Sequence, residues 1–261
     1  LSDVQSERVD LMSPPKVRAL VCSRCGTAYA PESIAYVCPD DGGNLTVELA
    51  LDRIGQSFTV ETLAASADKS MWRYLPLLPV TEPGTQATPL NVVGWTPLHH
   101  AGRLAAEVSL ARLWLKDESS NPTASFKDRA SALLVARARE IGADVVITAS
   151  SGNAGAALAG MAAAAGQRAV ILVPRSAPPP KVAQLRVYGA TVLLVDGTYD
   201  DAFDLTIQAS EAFGWYCRNT GYNPYTAEGK KTAAYEIWEQ LIQHELPDER
   251  LNVFVSVGDG N

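Results

Sequence analysis

The sequence predicts an α/β protein built on parallel sheet, in one large or two modest domains, behind a short zinc-ribbon-like N-terminal segment. Three observations carry that prediction. From residue 144 onward, short runs of Val, Ile and Leu alternate with longer helical stretches, the order that lays parallel strands between covering helices. Two thiol-bearing turns stand close together between residues 22 and 43. The 261 residues are 47% hydrophobic and 20% charged, which is enough apolar material for a sizeable core. A net charge of −7 argues against nucleic acid or an anionic membrane as partner and leaves room for a local basic pocket.

Residues 1–16 are polar, end in Pro14-Pro15 and read as a loosely held arm without signal-peptide character. Next come Cys22-Ser23-Arg24-Cys25-Gly26 and Cys38-Pro39-Asp40-Asp41-Gly42-Gly43, two turns like the knuckles of a zinc ribbon. Cys22, Cys25 and Cys38 are the candidate metal ligands. The second pair is incomplete, because Asp41 stands where a fourth cysteine would be. The segment is therefore either a zinc site with a carboxylate member or a ribbon held by packing alone. Cys217 is isolated and reads as a small buried hydrophobe.

Residues 50–109 are rich in proline and predict short helices and turns, with a stiff turn at Gly94-Trp95-Thr96-Pro97-Leu98 before a helix at 101–107. A strand over 110–116 precedes the run Asn121-Pro122-Thr123-Ala124-Ser125-Phe126-Lys127-Asp128-Arg129, and a helix follows over 130–141. Lys127 thus sits at a strand-to-helix junction. It is either a solvated first-turn lysine or a desolvated amine able to attack an aldehyde and form a Schiff base.

A buried strand at 144–148 leads into Ser150-Ser151-Gly152-Asn153-Ala154-Gly155 and a Gly/Ala-rich helix to 165. That turn reads either as an anion cradle of backbone N–H groups or as ordinary helix capping. Strands at 168–173 and 191–195, helices at 180–188, 199–213 and 231–243, and a last strand at 251–257 complete the alternation. Gly258-Asp259-Gly260-Asn261 forms a second glycine turn after a strand. The apolar stretch 154–165 is too short to span a bilayer, and the overall reading is of a cytoplasmic enzyme with free thiols.

Taken together, residues 72–74, 94–98, 121–129, 150–155 and 223–232 resemble the threonine synthase family, within the fold type II enzymes that use pyridoxal 5′-phosphate and share a tryptophan synthase β-like fold. The resemblance implies that Lys127 carries the cofactor as a Schiff base and acts as the catalytic base. It implies that Asn153 contacts the cofactor ring, that Gly258, Asp259, Gly260 and Asn261 bind its phosphate, and that Ser150, Ser151, Gly152, Asn153 and Ala154 hold the substrate carboxylate. It implies phosphate elimination from O-phosphohomoserine and hydration to L-threonine, with a β-replacement enzyme, a threonine or serine dehydratase-like ammonia-lyase, or a catalytically silent homologue as alternatives. One residue departs from the pattern. Thr226 stands where many members carry an arginine suited to the substrate phosphate, leaving Lys230, Lys231, Arg129 or Arg175 to compensate. The implied domains are an arm and ribbon at 1–50, a large cofactor domain at 51–130 and 221–261 whose C-terminal part is missing, and a small mobile substrate domain at 131–220. The expected partners are a small amino-acid substrate and a second copy in a homodimer.

Overall fold

The computed structural model describes residues 16–32, 36–81, 88–242 and 251–257. Residues 1–15 of the expected arm and the turn at 258–261 lie outside them. Near the N-terminus, β1 (Val17–Cys22) pairs antiparallel with β2 (Ala28–Tyr29) on one side and β3 (Leu45–Leu49) on the other. Alternation gives this small sheet one apolar face: Leu20, Cys22, Leu45 and Val47 are buried and join the main core. The ribbon shape expected from the thiol turns is therefore present.

Short helices α1 (Leu51–Ile54) and α2 (Val60–Ala64) and a 3₁₀ turn at Met71–Leu77 follow, with the buried Trp72 indole donating to Leu90 O at 2.9 Å. β4 (Leu98–His100) and β5 (Trp114–Lys116) form an antiparallel pair around α3 (Gly102–Glu107). The strand read over 110–116 is thus limited to its last three residues.

α4 (Lys127–Glu140) is made of strong helix formers and is buried from Asp128 to Ala138. Its end is set by Gly142, whose φ of 65° is costly for any residue with a Cβ. Beyond it come β6 (Val145–Ala149), α5 (Asn153–Ala164), β7 (Arg168–Pro174), α6 (Pro179–Val187), β8 (Thr191–Val195), α7 (Tyr199–Phe213) and β9 (Tyr216–Cys217). These strands form one parallel sheet in the order β8-β7-β6-β9. Both faces are covered. Val170 and Leu172 of β7 pack with Ala202 of α7, whereas Ile171 and Val173 pack with Ala156 and Ala159 of α5 and Leu185 of α6. α7 carries its own boundaries, a Thr198/Asp201 capping box at the start and Gly214 at φ 66° at the end.

Two elements differ from the sequence reading. α8 (Tyr225–Ile242) begins six residues earlier than the expected 231, because Asn223 Oδ1 accepts from the Tyr225 N–H at 2.9 Å and starts the helix there. The expected strand at 251–257 has no ladder partner among the described residues, and Phe254 is 93% exposed. An apolar β-branched run becomes a strand only when another strand takes up its N–H and C=O groups.

Candidate functional site

The turn that leads into α4 is held from behind by buried polar groups. Asn121 accepts from the Gly94 N–H at 2.9 Å and donates to Glu118 Oε2 at 2.9 Å. Asp128 accepts from the Thr123 N–H at 2.6 Å and from the Thr123 hydroxyl. Burial pushes the Asp128 carboxyl up, against the pull of these hydrogen bonds. Ala124 takes φ 58°, a left-handed backbone that this hydrogen bonding sustains. Arg129, fully buried, lies between Glu118 and Glu236 and meets each with paired bonds of 2.6–2.8 Å. Burial opposes its charge, but the two carboxylates outweigh that and raise its pKa. Asn121, Thr123, Asp128 and Arg129 are therefore scaffold. Lys127 is half-buried, with its ammonium 5.5 Å from the Phe126 ring centroid, and it lines a cleft of about 380 Å³.

The cleft opens at the carboxyl ends of β6 and β9, where parallel sheets gather their ligands. Thr148, Ala149, Ser150, Gly152, Asn153 and Ala154 form one wall, and Lys181, Tyr199, Arg218 and Thr220 form the others. The expected residues Lys127, Ser150, Gly152, Asn153 and Ala154 are thus brought together, while Ser151 does not line the cleft. α5 has no side-chain cap: the Ser150 hydroxyl instead accepts from the Gly152 N–H at 3.2 Å. The first-turn N–H groups of α5 have no intrahelical acceptor, the arrangement from which an anion cradle can be built. Gly155 permits this shape, since a Cβ there would lie 2.2 Å from Ser150 O.

Sequence reasoning missed Lys181 and Arg218. The Arg218 guanidinium donates to Thr220 Oγ1 at 3.0 Å, and the residue is 1% exposed although it borders the cleft. Its backbone is fixed on both sides, with its N–H donating to Ile147 O at 2.8 Å and its carbonyl accepting from the Thr226 hydroxyl at 3.3 Å. The departing residue Thr226 therefore supports an arginine eight positions earlier in the chain. The other compensating cations fall elsewhere. Arg129 is locked in its carboxylate pair, Arg175 pairs with Asp196 at the surface, Lys231 pairs with Glu228 at 2.6 Å, and Lys230 does not line the cleft. Among the described residues the cleft is lined by Lys127, Lys181 and Arg218 and by no carboxylate, so it is electropositive within a chain of net charge −7.

Behind the Arg218 wall, Asn219 Oδ1 accepts from the Ala149 N–H at 2.9 Å and from the Thr148 hydroxyl at 3.0 Å, while its buried amide nitrogen has no acceptor among the described residues. Cys217 is fully buried, as expected, and burial pushes its thiol up to about 12. The candidate metal ligands Cys22, Cys25 and Cys38 lie together with Asp41, their ligand atoms all within 4.8 Å of one another. Gly258, Asp259, Gly260 and Asn261 lie outside the described residues. No helix of the described residues is long and apolar enough to cross a membrane.

Residues 90–261 match the family described as "Pyridoxal-phosphate dependent enzyme". The threonine synthase of Methanocaldococcus jannaschii is 37% identical over 239 residues, covering 91% of this chain and 57% of that protein. Among solved structures, diaminopropionate ammonia lyase from Escherichia coli, in complex with an aminoacrylate-PLP azomethine reaction intermediate, has a TM-score of 0.51 at 28% identity over 57% of this chain and 44% of its own. Maize serine racemase has a TM-score of 0.52 at 29% identity, covering 57% of this chain and 45% of its own. The chain spans about half the length of the curated relatives it matches.

Proposed function

Because the chain belongs to the family of pyridoxal-phosphate dependent enzymes, we propose that Lys127 is the residue to which pyridoxal 5′-phosphate attaches and that the full protein is a threonine synthase. The cleft residues fit the cofactor: a half-buried primary amine and the uncapped start of α5 line the same cleft, and a buried amide donor of Asn219 lies behind one of its walls. When bound, the cofactor supplies the electron sink that stabilises negative charge at the substrate carbons. Asn153, at the start of α5, is the proposed contact to its ring, and residues 258–261 to its phosphate.

The observation that carries the substrate assignment is the group of three cations lining the cleft with no carboxylate beside them among the described residues. O-phosphohomoserine brings two anionic groups. The first-turn N–H groups of α5 suit its carboxylate, and the planar fork of Arg218, backed by Lys181, suits its phosphate. Lys127 then moves protons at the α-carbon and beyond. Phosphate leaves with the C–O bonding pair, and water adds hydroxyl at the β-carbon and a proton at the γ-carbon to give L-threonine. Closure of residues 131–220 over the substrate keeps water out until it is the nucleophile.

The full-length protein, reduced with borohydride, should carry the cofactor on the Lys127 peptide, and Lys127→Ala should not. Incubation with O-phosphohomoserine should release phosphate and threonine in equal amounts. Keto acid formed from threonine or serine without phosphate would replace this reading with an ammonia-lyase. A protein that takes up no cofactor would be the silent homologue.

A further inference from the structure

The N-terminal ribbon carries a cluster that the cleft does not use. Its two turns are built alike. Cys22 N–H donates to Thr27 O and Cys38 N–H to Gly43 O, both at 2.9 Å. Gly26 N–H donates to Cys22 O at 3.1 Å and Gly42 N–H to Cys38 O at 2.9 Å. The glycines take φ 74° and 65°, and flanking antiparallel pairs Val21↔Ala28 and Val37↔Asn44 close each turn at the same offset. Asp41 therefore occupies in the second turn the place that Cys25 occupies in the first.

The distances suit a tetrahedral ion. Zn–S bonds of about 2.3 Å place neighbouring sulfurs about 3.8 Å apart, and a carboxylate oxygen at about 2.1 Å lies about 3.6 Å from each sulfur. Cys25 Sγ is 3.9 Å from Cys38 Sγ, and Cys22 Sγ is 3.4 and 3.7 Å from the two Asp41 oxygens. Backbone and cationic groups support the set: Gly43 N–H donates to Asp41 Oδ1 at 2.7 Å, Arg24 N–H to Cys22 Sγ at 3.4 Å, and the Arg24 guanidinium to Asp41 O at 3.1 Å. A Cβ at Gly43 would lie 2.8 Å from both Asp41 Oδ1 and Cys22 Sγ, so glycine lets these ligands close.

We propose that Cys22, Cys25, Cys38 and Asp41 form a closed, structural zinc site with three thiolates and one carboxylate. Its position gives it a second consequence. Just before Cys38, Tyr36 stacks on Tyr222 at 4.6 Å and accepts from the Cys217 N–H at 2.9 Å, next to Arg218 of the cleft. Zinc thereby anchors the ribbon against the sheet edge that presents Arg218.

The test is metal analysis of the full-length protein grown with zinc, together with cobalt substitution. One equivalent of zinc is expected, and Co²⁺ should give the intense visible bands of a tetrahedral ion with thiolate charge transfer in the near ultraviolet. Asp41→Ala should lower zinc affinity more than tenfold, whereas Asp41→Cys should retain one equivalent and strengthen the charge-transfer band by about a third, as four thiolates replace three. Cys25→Ser should behave like Asp41→Ala, and Asp41→Ala alters an exposed carboxylate, so its folding is checked by circular dichroism. Absence of zinc with Cys22, Cys25 and Cys38 all freely titrating, a Cys25–Cys38 disulfide in the purified protein, or undiminished affinity in Asp41→Ala and Cys25→Ser would each overturn the proposal.

Discussion

Replacing Arg129 with leucine tests whether the lysine turn is held by buried charge. The guanidinium makes four short bonds to Glu118 and Glu236, a fifth to Thr232 at 2.9 Å and a sixth to Thr96 Oγ1 at 3.2 Å. Removing one partner of a buried pair costs about 3–5 kcal/mol. The lower end applies here. Glu236, fully buried, keeps Lys116 at 2.7 Å and the N–H groups of Trp95 and Thr96 at 2.7 and 3.2 Å, and the Glu118 side chain is 19% exposed and reaches water. A loss of about 3 kcal/mol, with a urea slope of about 3 kcal/mol per molar for a chain of this size, lowers the unfolding midpoint by about 1 M.

The pH dependence supplies a second check. Burial works to raise the Glu236 carboxyl, but Arg129 and Lys116 hold it below its ordinary value. A depressed carboxyl contributes stability that is present above the unfolded pKa and is lost as pH falls through the folded one. Without Arg129, burial gains ground, the folded pKa rises, and the variant recovers stability by protonating Glu236 as the medium is acidified. The deficit should be widest at pH 7 and narrow toward pH 4. A deficit under 1 kcal/mol at pH 7, or one that does not change with pH, would refute the reasoning.

Gly155→Ala places a methyl 2.2 Å from Ser150 O, so the start of α5 must shift; substrate KM should rise by an order of magnitude or more while borohydride still traps the cofactor on Lys127. Tyr36→Phe removes the acceptor of the buried Cys217 N–H and should cost about 1–3 kcal/mol, read as a lower melting temperature. Arg218→Gln should raise KM for O-phosphohomoserine at least tenfold, and Arg218→Lys should restore only part of it, because a point charge lacks the fork.

Much of the local architecture was legible in the residues alone. The apolar runs that became β6, β7 and β8 and the capped α7 were readable because periodicity and capping act over a few positions. Lys127 at a helix start and the thiol turns were readable for the same reason. The run at 251–257 shows the limit, since strand-like residues need a partner that periodicity cannot supply. α8 shows it in milder form, since one Asn223 side chain moved its start by six residues.

By itself the sequence determined the α/β alternation, the lysine turn and the paired knuckles, each built from short local patterns. Only the tertiary structure decided which cations serve the cleft. Arg129 carries charge in the signature run yet is consumed by Glu118 and Glu236, whereas Arg218, in no signature, reaches the cleft because β9 pairs with β6 from 70 residues away. A long-range strand pairing brings chemistry together without leaving a local pattern, so the electropositive wall beside Lys127 emerges only when the chain is folded.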